Sequence, residues 1–201
     1  MNPRFVVLEG GDGSGKSTQR DLLVAWLVER GIDVVATREP GGTELGLAVR
    51  GMLLDGDDLS ARTEALLMAA DRAQHVAEVI RPAVARGAWV VSDRHVPSSL
   101  VYQGVVRGLG VDEIASLSAF ATDGLVPDVV VVLDVDDATA EARRSPGADR
   151  MEREGGVFHA DVRRAYRELA LECGWTVVDG GGSAELVADR VRAVIQPFLA
   201  S

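Results

Sequence analysis

The sequence predicts an α/β fold built on a parallel sheet of five strands. Three features carry this expectation. Five short runs are rich in valine, helical stretches fill most of the intervals between them, and a glycine-rich turn follows the first run directly. Runs that are apolar at nearly every position belong to strands covered on both faces, which is the habit of parallel sheets flanked by helices. RFVVLEG (4–10) is β-branched, buried by composition and closed by glycine. From 15 to 30, Leu22, Leu23, Trp26 and Leu27 form one helical stripe, and Gly31 stops it. IDVVATRE (32–39) is the second strand and GTELGLAVRGMLL (42–54) the next helix. ARTEALLMAADRAQHVAEVIRPAVARG (61–87) reads as one long helix that Pro82 must kink or end early. AWVVSD (88–93), VVVVLD (129–134) and TVVDG (176–180) complete the five strands, and a last helix lies near 183–199. One stretch fits a core poorly. EARRSPGADRMEREGG (141–156) is dense in charge and broken by Pro146-Gly147, so it reads as an exposed, mobile flap on a single domain spanning 1–201.

Bulk properties exclude several function classes. With 201 residues, 47% of them hydrophobic and 26% charged, the chain is globular and long enough for a real core. A net charge of −10 argues against a general nucleic-acid binder, whose surface should be basic. A polyanionic small substrate then requires a local cluster of arginines inside a negative shell. Cys173 is the one cysteine, so no internal disulfide and no zinc spacing exist. No apolar run reaches the length of a membrane span, and the N-terminus enters a strand pattern rather than a signal peptide. The expectation is a cytoplasmic enzyme with neither a membrane nor a nucleic acid as partner.

GGDGSGKST (10–18) carries the chemistry. Its Lys16 is the only lysine among 21 basic residues. Gly10, Gly15, Lys16 and Ser17 fit G-x-x-x-x-G-K-[ST] between a strand and a helix, the context a phosphate-binding loop requires. Gly10, Gly11, Asp12, Gly13, Ser14, Gly15, Lys16, Ser17 and Thr18 therefore form the candidate ATP site. Glycines let successive backbone N–H groups turn inward, and the following helix adds its positive end. Lys16 is a compact, rotatable charge that can follow a phosphoryl group, where arginine is a rigid planar fork. Ser17 would hold magnesium. Such a loop also needs a metal-positioning acid at a nearby strand end, and Asp93 and Asp134 are the two candidates. Either could be a plain helix cap. Asp93 is preferred because Arg94 follows it at a strand's carboxyl edge, where ligands bind in such sheets.

TREPGGT (37–43) places Arg38 at a strand end before a forced turn. Alone, its Arg-Glu pair reads as an ordinary ion pair. Arg50, Arg72 and Arg94 change that weighting. Arg72 is the most telling, because its helix is apolar on most sides, so it must be paired or face a polar cavity.

GGDGSGKSTQ, TREPGGT, EALLMAADRAQHV, SDRHVPSSLVYQG and ADRMERE, in this order and spacing, resemble the bacterial thymidylate kinases over essentially the whole chain. The resemblance implies a three-layer P-loop nucleoside-monophosphate kinase fold, a LID flap and a homodimer. It implies phosphoryl transfer from ATP to dTMP with Mg2+. By resemblance, Arg38, Arg50 and Arg94 lie near the dTMP phosphate, and Glu39 and Asp93 surround the magnesium and its waters. Asp12 accepts from the sugar 3′-hydroxyl. Arg72, Ser99 and Gln103 address the thymine edge, and Tyr102 crowds the place of a ribose 2′-hydroxyl. Met68 stands where relatives stack a phenylalanine on the base. Gly13 stands where some members carry a loop arginine, which moves the catalytic arginine to the LID. Arg143, Arg144 and Arg150 are the candidates, with Arg150 aligning best. His95 is assigned no chemistry.

The implied nucleophile is a phosphate oxygen already ionised near neutral pH, so no general base is needed. Lys16, Asp93 with the metal, Arg94 and a closing LID arginine supply positioning and charge. Two other readings stay open from sequence alone. One is a different nucleoside-monophosphate kinase on the same fold, and the other is a non-catalytic ATP-binding regulatory module. A guanine-reading N-K-x-D motif is impossible with Lys16 as the only lysine.

Overall fold

A computed structural model describes residues 4–55, 58–143, 150 and 154–199. Five parallel strands form one sheet: β1 (Phe5–Glu9), β2 (Val34–Arg38), β3 (Trp89–Asp93), β4 (Val129–Asp134) and β5 (Thr176–Asp179). Their spatial order is β2-β3-β1-β4-β5. From β1 the chain crosses to one edge of the sheet, and from β4 it continues to the other. The crevice at the carboxyl ends of β1 and β4 is thus the topological switch point, where such sheets bind ligands.

The pairing register sets the functional residues side by side. Leu8 pairs with Asp93, and Arg38 also pairs with Asp93. The β1 side chains alternate between two helical layers. Val6 and Leu8 pack with Leu23 and Leu27 of α1 (Lys16–Val28) and with Val187, Val191 and Ile195 of α9 (Ala184–Ile195). Phe5 and Val7 face Val76, Ile80 and Ala83 on the other side. Strands buried on both faces between helices give the expected three layers.

α2 (Glu44–Leu54) begins at Thr43, whose hydroxyl accepts from Gly46 N at 2.9 Å. The segment expected as one long helix keeps right-handed helical backbone at both of its junctions, with one wide turn inside it. α3 (Ala61–His75) passes into a wide π turn, Val76–Ile80, before α4 (Arg81–Ala85). Pro82 follows the π turn directly, and the widened turn accommodates its missing N–H within a continuing helix. A second π turn, Leu100–Val106, extends α5 (Val96–Ser99) and carries Tyr102 and Gln103. α6 (Val111–Thr122) and α8 (Gly156–Cys173) fill intervals to which the sequence assigned no named element. α7 (Asp137–Arg143) runs into the front of the expected flap. Residues 144–149 and 151–153, with Arg144 among them, lie outside the described residues. Among the described residues no helix is long and apolar enough to cross a membrane.

Candidate active site

The phosphate loop leaves β1 at Gly10 and ends at Gly15, both in the left-handed region with φ of 134° and 92°. A side chain at Gly10 would collide with the carbonyl oxygen of Leu133, and one at Gly13 with that of Ala140. Gly13 thus has a steric reason: α7 lies against it. Inside the loop, Lys16 folds back so that Nζ donates to Gly11 O at 2.8 Å and to Ser14 Oγ at 3.5 Å. Burial, then the neighbouring Arg94 charge, pulls the Lys16 pKa down against the pull of Asp93 and Asp12.

Ser17 Oγ donates to Asp93 Oδ2 at 2.5 Å. A hydroxyl and a carboxylate at this place are hard oxygen donors that suit Mg2+. Asp134, the other candidate, is taken by Arg163 at 2.8 Å and by Arg167. Burial would raise its pKa, but these two guanidinium groups outweigh that and hold it below the usual range. The preference for Asp93 rests on geometry.

Arg94 is the hub of the site. Its backbone φ of 70° is strained for a non-glycine residue and turns the side chain inward from the end of β3. Nη1 donates to Gly10 O and Ser98 Oγ, each at 3.0 Å, and to Tyr166 Oη at 3.2 Å. Nη2 reaches Asp12 and Tyr102 Oη. Burial raises the Asp12 pKa, but Arg94 and Lys16 outweigh it and leave the carboxyl below its ordinary value. Glu9, at the carboxyl end of β1, lies beneath this hub and is fully buried. It accepts from His95 N at 2.8 Å, Ser98 Oγ at 2.6 Å and Tyr166 Oη at 2.8 Å. Its burial raises its pKa against the nearby Arg94 charge. Sequence reasoning missed Glu9 and Tyr166; the one available signal was an acid closing an otherwise apolar strand.

One cavity of about 460 Å³ joins these groups. Lys16, Ser17, Asp93 and Asp12 line it with Arg38, Arg50, Arg94 and Arg143, and Met68, Tyr102 and Gln103 line it as well. A smaller cavity of about 300 Å³ borders Gly10, Gly11 and Asp12, among acids that include Asp134 and Glu154. It contains neither the lysine nor the Ser17–Asp93 pair, so the larger cavity is the site of interest.

Several expected residues have protein partners of their own. Glu39 lines the larger cavity, and both of its carboxylate oxygens are engaged. Oε1 faces His75 Nδ1 and His95 Nδ1, each at 2.8 Å, and Oε2 accepts from Arg72 Nε at 2.9 Å. Burial would raise its pKa; the His95 and Arg72 donors hold it well below the usual range. Glu39 is therefore a clamp on the Pro40-Gly41-Gly42 turn. Arg72 and Ser99 do not line the cavity. Arg72 Nη2 donates to Ser99 Oγ at 3.0 Å and His95 O at 3.1 Å, which resolves the sequence alternative in favour of a paired arginine. Arg150 is not turned to the phosphate loop. Nε donates to Leu53 O at 2.9 Å, Nη2 donates to Glu64 at 2.7 Å, and its backbone N donates to Leu54 O. Arg143, one of the three candidates, lines the larger cavity. It donates to Gly180 O at 3.0 Å and Gly182 O at 3.2 Å and lies beside Gly15. Glu64, which receives Arg150, was not visible as a site residue in the sequence.

A family model described as thymidylate kinase matches residues 8–191. The thymidylate kinase of Leifsonia xyli subsp. xyli is 49% identical over 94% of this chain and 92% of its own length. That of Clavibacter sepedonicus is 47% identical over 100% of this chain and 98% of its own. The more distant Pseudomonas putida enzyme of the same name is 46% identical over 97% and 96%.

Proposed function

Because this chain belongs to the thymidylate kinase family, we propose that it transfers the γ-phosphoryl group of ATP to dTMP, giving ADP and dTDP for dTTP synthesis. The observation that carries the reading is the larger cavity, lined by the phosphate-loop Lys16 and by four arginines, Arg38, Arg50, Arg94 and Arg143. A dTMP phosphate oxygen attacks the γ-phosphorus, and the bond to the bridging oxygen breaks with its electron pair leaving on ADP. Two polyanions must approach in line, so the barrier is one of positioning and charge. Lys16 and the loop N–H groups hold the donor phosphates. Arg38, Arg50 and Arg94 hold the acceptor phosphate, and Arg143 covers the transferring group. Ser17 and Asp93 would hold Mg2+, which would supply further charge neutralisation. Asp12, fixed by Arg94, accepts from the sugar 3′-hydroxyl; Tyr102 packs beside it and Met68 lies against the base. Glu39, Arg72 and Ser99 position this end of the site from behind, and Arg150 is itself held to α2 and to Glu64 of α3.

A homodimer in the cytoplasm completes the proposal. Met52 of α2, Leu66 of α3 and Phe120 of α6 are largely exposed on neighbouring helices, a surface suited to a second copy of the chain. The test of function is coupled ADP release with a panel of dTMP, dUMP, dCMP, dGMP and AMP. A clear preference for dTMP supports the reading. Preference for another monophosphate means a different kinase on this fold, and ATP binding without any transfer means a regulatory module.

A further inference from the structure

Gln103 stands on the second π turn, is 1% exposed and lines the cavity. Its amide nitrogen donates to Glu64 Oε1 at 2.8 Å. Its carbonyl Oε1 is buried with no partner. Glu64, in the first turn of α3, is also 1% exposed. Its other oxygen accepts from Arg150 at 2.7 Å and from Arg107 at 3.5 Å, so two guanidinium groups supply its counter-charge. A carboxylate flanked by two arginines only accepts hydrogen bonds. It thereby dictates which way the Gln103 amide faces: NH2 toward Glu64, and C=O left as an unfilled acceptor.

We propose that Glu64 is a specificity-determining positioning residue, which fixes Gln103 so that the cavity presents an acceptor to the nucleobase. The proposal rests on the reading of this cavity as the dTMP site. A lone buried acceptor is costly until a donor fills it. Thymine brings N3–H, a donor. Cytosine brings an N3 lone pair, which faces the Gln103 carbonyl acceptor to acceptor. A site that demands a hydrogen bond rejects the base that cannot make it far more strongly than an apolar wall does. The selectivity is thus set by a residue that need not touch the base.

Glu64→Gln tests this sharply. Arg150 and Arg107 still require an acceptor, so the new amide turns its oxygen to them and its NH2 to Gln103. Gln103 must then flip and present NH2 to the cavity. The expected result is that the kcat/KM ratio of dTMP to dCMP falls at least about tenfold, carried by KM rather than kcat. A purely structural role would lower the melting temperature and depress both substrates equally, and that outcome overturns the proposal. A second measurement needs no variant. By calorimetry the unaltered chain should bind dTMP at least about tenfold more tightly than N3-methylated dTMP or dCMP. Equal binding of the three overturns the proposal, because it means no acceptor is set. If the unaltered chain phosphorylates dTMP well while Glu64→Gln leaves the ratio unchanged, this inference fails alone. If the unaltered chain prefers another monophosphate, the proposed function fails with it.

Discussion

Replacing Lys16 with arginine keeps the charge and changes only its shape. The Lys16 ammonium is nine-tenths buried, and it donates to Gly11 O at 2.8 Å from within the curl of its own loop. A guanidinium is wider and planar, and its donors point along fixed directions. Two losses follow. The charge-assisted bond to Gly11 O contributes about 1.5–3 kcal/mol. Forcing extra volume into the loop costs about 1–3 kcal/mol. The loop or the side chain must shift, and a displacement of about 1 Å at a reacting centre costs about 10²-fold in rate. Coupled ADP release at saturating ATP and dTMP should therefore show kcat down about 10²-fold. Lys16→Met should fall at least as far, so keeping the charge gives little rescue. An arginine variant turning over within about threefold of the unaltered chain would refute the reasoning, because charge alone would then suffice.

Three further perturbations probe separate parts of the account. Arg143→Ala should lower kcat at least about tenfold, whereas Arg150→Ala should mainly lower stability, by about 1.5–3 kcal/mol, since it removes the nearer of the two guanidinium partners of buried Glu64; the reverse pattern in paired kinetics and urea melts would put Arg150 on the phosphates. Gly13→Ala places a side chain at φ 82° against the Ala140 carbonyl, so urea unfolding should show a loss of about 2 kcal/mol or more; an unchanged midpoint would mean that α7 does not lie there. Burial lowers the His95 pKa below 6.5 against Glu39, with Arg72 and His75 also near, so the folded state favours neutral imidazole. Its stabilising contribution is full above pH 6.5 and is lost as pH falls through the lower folded value. Glu9 and Asp71, raised by burial, act in the opposite sense, so the test is a difference. Between pH 7.5 and 5.5 the unaltered chain should lose more stability than His95→Asn, and parallel urea midpoints would sink the assignment.

The strands and the phosphate loop were legible because their signals are local. Five apolar runs, a glycine-rich turn and a strand-end Asp93 each declare themselves within about eight residues. Pro82 was expected to kink the helix or end it early; the helix instead continues past it by way of a π turn. The arginine ring was half legible. Arg38, Arg50, Arg94 and Arg143 line the cavity as expected. Glu39, Arg72 and Arg150 are held by partners distant in sequence, which the motifs did not reveal. Arg150 meets Glu64 across 86 positions, and Arg72 meets Glu39 across 33. Motif matching places a residue in a neighbourhood, but the competition among buried carboxylates decides where its side chain turns. Glu9 and Glu64 were hidden for the same reason: each is one acid in an otherwise ordinary element, and only the fold surrounds it with donors.

The most direct measurement is a crystal structure of the chain with dTMP and a non-hydrolysable ATP analogue. The γ-phosphate and the dTMP phosphate should face each other in the larger cavity, with Lys16, Arg94 and Arg143 within hydrogen-bond reach of their oxygens. Nucleotides bound outside that cavity, or phosphates with these three cations turned away from them, would contradict the account.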